Sequence, residues 1–234
     1  MEEKSAWWEA DAMTRVYLLV EGQTEETFVR ELLAPHYARM GLYLTPILVG
    51  TSPGHKGGIV GYAKVRPQIE RLCKRDRDAY VTTMFDLYAL PGDFPGKTSP
   101  QWQHQQTGVN KAALVEKELA ADIGQRNFIP YIQVHEFEAL MFVEPKRFEE
   151  WADKHVVCKL QDIAATSAPE DINDHPDTAP SKRILAAMPA YQKTVHGPLI
   201  ACDIGLDAMR EACPHFAAWL ERLDALVQTG TSIQ

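Results

Sequence analysis

The feature that most constrains the fold is a near-continuous apolar run, Arg15-Val-Tyr-Leu-Leu-Val20, broken abruptly by Glu21-Gly22. Five or six successive β-forming apolar residues suit a strand covered on both faces, as in a parallel sheet with helices on either side. A glycine turn and an amphipathic stretch through Phe28, Val29, Leu32 and Leu33 follow, with Thr24 the expected N-cap and Glu25 and Glu26 the expected first-turn acids. The strand, turn and helix then recur. Leu42–Val49 reads as a second strand, at an edge or bulge because of Pro46, and residues 58–75 as a helix. Tyr80–Phe85 reads as a third strand ending at Asp86, residues 108–123 as a helix, and Phe128–Val134 as a fourth strand ending at His135. Alternation of this kind predicts an α/β fold with a mostly parallel, Rossmann-like four-stranded sheet and right-handed crossovers.

Beyond residue 143 the strand signals fade. Residues 145–165 and 181–228 read as helical, separated by the polar loop 167–180. The expected organisation is an N-terminal extension (1–13), an α/β core (14–143) and a C-terminal helical region (144–234) packed on that core through Phe216, Trp219, Leu220, Leu223 and Leu226. That apolar last helix also leaves a homodimer open.

The chain of 234 residues has no apolar run near the roughly 18 residues of a membrane span, and its first residues are too polar for a signal peptide, so a cytoplasmic protein without a membrane is expected. Cys73, Cys158, Cys202 and Cys213 lack zinc or redox spacing and read as ordinary buried thiols. A net charge of -8 argues against a general basic grip on nucleic acid. It leaves room for a metal-dependent nuclease, whose acids are offset by bound cations.

In parallel α/β sheets, ligands bind beyond the carboxyl ends of the strands. Glu21, Asp86 and the pair Glu136 and Glu138 all follow strand ends, and Glu25 lies one helical turn after Glu21. Hard oxygen donors brought together in this way suit Mg2+ or Mn2+, which can promote phosphodiester cleavage. Taken singly, Glu25 and Glu26 are ordinary helix N-terminal acids, and Asp86 an ordinary loop cap. Glu21, directly after a buried strand, demands a partner.

Two other motifs fail. Gly50-Thr-Ser-Pro-Gly54-His55-Lys56-Gly57 is one residue short of a phosphate-binding loop and lacks its hydroxyl, leaving His55 and Lys56 as candidate nucleic-acid contacts on an ordinary surface loop. His135-Glu136 lacks the second histidine of a zinc protease, since residue 139 is Ala. The basic run Arg71–Arg77 reads as a solvated helix end.

Val20-Glu21-Gly22-Gln23-Thr24-Glu25 resembles the glutamate motif of Toprim domains, and the added Glu25 resembles the pattern of OLD-type nucleases. Met84-Phe85-Asp86-Leu87-Tyr88 resembles the aspartate motif, with Tyr88 where a second aspartate is usual. His135-Glu136-Phe137-Glu138-Ala139-Leu140 resembles the later acidic motif, and Pro180-Ser181-Lys182-Arg183 the late lysine-bearing segment. With Cys213-Pro-His-Phe-Ala-Ala-Trp219, these segments are similar to a bacterial Toprim-like family over most of residues 14–225. The resemblance implies a Toprim-like sheet and a metal-dependent endonuclease acting on DNA or RNA. It implies Glu21, Glu25, Asp86, Glu136 and Glu138 as ligands of Mg2+ or Mn2+, with Glu21, Glu25, Asp86 and Lys182 catalytic and Lys182 and Arg183 meeting the phosphate. It also implies an AAA or ABC-type ATPase partner and a role in anti-phage defence or DNA transactions. The alternatives are a regulatory subunit that has lost turnover, for which Tyr88 speaks, and an RNA- or tRNA-cleaving enzyme.

Overall fold

The computed structural model describes residues 13–50, 60–172 and 177–230. Strand β1 (Thr14–Val20) leads through Glu21-Gly22 into α1 (Gln23–Phe28), which runs on through one π-helical turn at Val29–Leu33 into α2 (Ala34–Ala38). β2 (Leu42–Leu48), α3 (Tyr62–Arg75), β3 (Ala79–Asp86) and α4 (Gly108–Ile123) follow, then the short strands β4 (Phe128–Ile129) and β5 (Ile132–Gln133). The sheet order is β2-β1-β3-β4 with β5 also on β3, and the pairings are parallel. The expected parallel α/β architecture is therefore present. β2 is the edge strand, where Pro46 costs no ladder bond to an outer neighbour.

One expected strand is two. Pro130 has no N–H to give, and the backbone at Tyr131 is satisfied by a side chain instead: the Thr83 hydroxyl donates to Tyr131 O (2.8 Å) and accepts from Tyr131 N (3.0 Å). The neighbouring Thr82 hydroxyl donates to Ile129 O at 2.5 Å. Two buried threonines on β3 thus carry the pairing across the break, which periodicity alone does not reveal.

β1 explains why its sequence is apolar throughout. Val16, Leu18 and Val20 join the core beneath α1 and the C-terminal helices, whereas Leu19 joins the core beneath α3 and α4. Alternate residues of a strand face opposite sides, so both faces are covered. Because the chain moves from β1 to β2 on one side and then returns to β3 on the other, the order reverses around β1. The crevice at the carboxyl ends of β1 and β3 is where such sheets accept ligands.

After β5 come 3-10 turns at Phe137–Val143, Pro145–Glu150 and Pro169–Asp171, interleaved with α5 (Lys154–Ala164), and then α6 (Pro180–Ala187), α7 (Lys193–Ile204), α8 (Leu206–Ala212) and α9 (Pro214–Gly230). The helix expected over residues 145–165 is thus a 3-10 turn followed by α5. The span 181–228 holds four helices. Phe216, Trp219, Leu220, Leu223 and Leu226 are buried in the same core as β1. Trp219 stacks on Tyr131 with ring centroids 4.3 Å apart, and its indole N–H donates to the Thr82 hydroxyl at 3.0 Å.

The four cysteines are free, but Cys158 is exposed and Cys202 partly so, a correction to the expectation of four buried thiols. No described helix is long and apolar enough to cross a membrane. The basic run at the end of α3 precedes β3 and therefore lies at the opposite end of the sheet from Asp86. There Glu70 pairs with Arg66 and Lys74.

Trp219→Ala removes a fully packed indole and leaves a cavity against Tyr131, with an expected loss of about 3–5 kcal/mol. Urea unfolding checks it. A single shifted transition is expected, because α9 and β1 share one core; a separate early transition would show that α9 unfolds independently.

Candidate active site

Each acid of the site is delivered by a strand end or by a turn tied to one. β1 stops at Val20, Glu21 begins the turn, and Gly22 is the N-cap of α1 with extended backbone (φ -151°). Thr24 is not the cap, as expected from sequence, but a buried residue inside α1. Gly22 leaves room for the Glu25 carboxylate, since a Cβ there would lie 3.3 Å from Glu25 Oε2. Glu25, in the first turn of α1, is almost fully buried. Asp86 closes β3, and its backbone N–H approaches Glu21 Oε2 at 3.4 Å.

Beyond the strands, parallel pairing continues without regular ladder. Leu87 N donates to Gln133 O and Tyr88 N to His135 O. This holds the segment after β5 beside Asp86, whose Oδ1 accepts from Phe137 N at 2.9 Å. One residue later Glu138 lies wholly out of solvent. His135, just before, has φ 61°, a left-handed conformation unusual for a residue with a side chain. That turn redirects the chain from β5 into the acidic segment.

A lysine that the sequence reading did not single out completes the cluster. Lys193 Nζ stands 3.2 Å from Asp86 Oδ2, 3.2 Å from Glu138 Oε2 and 3.6 Å from Glu25 Oε1. It is the first residue of α7, and α7 packs closely on α1 because Gly197 has no side chain: a Cβ there would meet Tyr191 Oη and Met141 Cε at 3.1 Å and Thr24 Cγ2 at 3.3 Å. The available signal was electrostatic. A cation at a helix N-terminus opposes the helix dipole, and a lysine opening a helix with no acid in its first turn suggests a compensating acid elsewhere.

The other expected residues are placed differently. Glu136 points both oxygens at Ser181, accepting from its backbone N–H (2.8 Å) and its hydroxyl (3.0 Å), and so anchors the start of α6. Lys182 is exposed on α6, and the Arg183 guanidinium donates to Thr178 O at 2.6 Å. The structure does not bring these two residues to the acids as it does Lys193. His55 and Lys56 lie outside the described residues.

The electrostatics follow from burial and crowding. Burial, then the nearby Asp86 and Glu25 charges, push the Glu21 carboxyl up to about 8. Burial lifts Glu138 to about 7 against the opposing pull of Lys193, and burial with the Asp86 charge raises Glu25. Burial alone disfavours the Lys193 ammonium, but Asp86, Glu138, Glu25 and Glu21 outweigh it and hold the group charged. Among the described residues no three acids, histidines or cysteines are placed to hold a metal ion, and the carboxylates converge on the ammonium. The donor chemistry nevertheless fits a hard divalent cation, and Glu138 Oε2 is buried with no hydrogen bond of adequate geometry.

A carboxyl held above its ordinary value of 4.5 means that the folded state retains a proton the unfolded chain releases, so stability falls as pH rises from 4.5 toward about 8 for Glu21 and about 7 for Glu138. Thermal melts in chelator should show a falling Tm across that window. Glu21→Gln should flatten the slope; an unchanged slope would place the titration elsewhere.

Two solved structures of the C-terminal region of the OLD protein of Xanthomonas campestris pv. campestris are similar to this chain at 15% and 14% identity, with TM-scores of 0.40 and 0.41. Both alignments cover 91% of this chain, and they cover 99% and 97% of those chains. No curated protein matches. The model of a family described as a domain of unknown function, DUF4276, matches residues 20–224, a span that includes Glu21, Glu25, Asp86, Glu138 and Lys193, and the chain belongs to that family.

Proposed function

We propose that this protein is a divalent-metal-dependent phosphodiesterase acting on nucleic acid, an endonuclease of Toprim type. The observation that carries the reading is the meeting of acids from three separate segments with one lysine, buried at the carboxyl ends of β1 and β3. Structural packing gives no reason to gather repelling carboxylates at that point, whereas a cation does.

Glu21, Asp86 and Glu138 would hold Mg2+ or Mn2+, with Glu25 as a further ligand or base. Such an ion supplies Lewis acidity toward the phosphodiester and lowers the pKa of water for attack at phosphorus. Phe137 N–H fixes one oxygen of Asp86 and leaves Oδ2 directed toward the cluster. Lys193 is suited to donate to a non-bridging phosphate oxygen as negative charge grows there. Exposed Lys182 would grip the phosphate backbone farther from the reacting group. Glu136 serves in this scheme as the anchor of α6.

DNA and RNA remain alternative substrates, because the described residues include no recognisable base-reading module. An AAA or ABC-type ATPase partner, with a role in anti-phage defence or DNA transactions, follows from the motif resemblance. A basic partner also fits the net charge of -8, which leaves this chain poorly equipped to hold a polyanion alone.

One observation favours a second reading, a regulatory subunit without turnover: Lys193 already partly neutralises the acids, and Tyr88 stands where an acid is usual. Metal-dependent nicking of supercoiled DNA, and cleavage of structured RNA, by the full chain with its partner ATPase tests the choice. Glu21→Gln should lower either activity by at least ~100-fold. Wild-type protein that binds no Mn2+ in calorimetry and cleaves neither substrate would establish the regulatory reading.

A further inference from the structure

The ammonium of Lys193 stands where the carboxylates converge, and this has a consequence for any ion that enters. Magnesium binds oxygen at about 2.0–2.1 Å in near-octahedral geometry. Asp86 Oδ2 and Glu138 Oε2 are each 3.2 Å from Nζ, so an ion bound by both at that distance would crowd the ammonium and share their charge with it. We propose that Lys193 is a built-in counter-ion that competes with the divalent cation for Asp86, Glu138 and Glu25, so that metal enters only as the ammonium leaves. The inference rests on the reading of these acids as a cation site.

Three features support competition over a fixed ion pair. The acids are enclosed and the lysine is open to water: the side chains of Glu25, Asp86 and Glu138 are 4%, 7% and 0% exposed, whereas that of Lys193 is 39% exposed on a stem of four rotatable carbons. The contacts are also uneven: Nζ donates to Asp86 Oδ2 at 3.2 Å, whereas Glu138 Oε2 lies within ion-pair distance of Nζ yet makes no well-aligned hydrogen bond. Lastly, the lysine begins α7, where the helix dipole repels it, so its position owes more to the acids than to the helix.

If the ammonium occupies the cluster most of the time, the apparent metal affinity is reduced by the fraction of molecules in which it is absent. Lys193→Met keeps the stem and removes the charge. Calorimetric titration of the metal-free full-length chain with Mn2+ should show at least ~10-fold tighter binding to Lys193→Met than to wild type. Equal or weaker binding would overturn the competition and leave the metal-site reading standing; no binding to either protein would overturn both. A second measurement needs no substitution. Acetylation of wild-type Lys193 by acetic anhydride, followed by peptide mass spectrometry, should rise when Mn2+ is added. No rise at saturating Mn2+ would overturn the proposal even if the variant fails to fold.

Discussion

Four carboxyl groups held near one another and largely out of water repel, and much of the surrounding structure answers that repulsion. The sheet cannot relieve it, because Glu21 and Asp86 are fixed by adjacent parallel strands, β1 and β3, whose residues are locked in register. Relief comes from protons retained on Glu21 and Glu138 and from a backbone N–H supplied to Asp86 by Phe137. Among the described residues, the full positive charge at the cluster comes from outside the sheet. Lys193 lies more than a hundred residues after Asp86 in sequence and is delivered by a helix packed on α1.

The C-terminal helices are therefore part of the site as well as of the core. Gly197 lets α7 approach α1 closely enough for Lys193 to reach Glu25. The Glu136 link to Ser181 pins α6, and Glu170 accepts from the backbone N–H groups of His215 and Phe216 at the start of α9. Both are carboxylates at helix N-termini, where free N–H groups and the dipole favour negative charge. In the segment Glu136-Phe137-Glu138, the first acid thus secures the helical layer and the second enters the cluster.

What was legible in the sequence was mostly local. The apolar period of β1 and β3, the glycine turn after Val20 and the boundaries of α4 at residues 108–123 all follow from neighbouring residues. So did the nearness of Glu21, Glu25, Asp86 and Glu138, because strand ends converge in any parallel sheet, although Glu136, expected with them, turns to Ser181. The misreadings came from long-range choices. Thr24 carries good capping chemistry but is buried against α7, so Gly22 begins the helix. The fourth strand is divided at Pro130, and the repair comes from threonines on another strand. Lys193 gave only a negative signal, a cation at the wrong end of a helix, whose compensation is visible only in three dimensions.

Charge balance also bears on whether the lysine is simply structural. A stabilising buried pair needs one base for one acid, and such pairs are often no better than apolar packing of the same volume. Among the described residues one ammonium serves Glu25, Asp86 and Glu138, with Glu21 nearby, so no acid has the lysine to itself. Evenly matched charges would make a closed structural network. Shared among several acids, this ammonium instead leaves Glu138 Oε2 buried without a hydrogen bond, and the protons kept on Glu21 and Glu138 carry the rest of the balance.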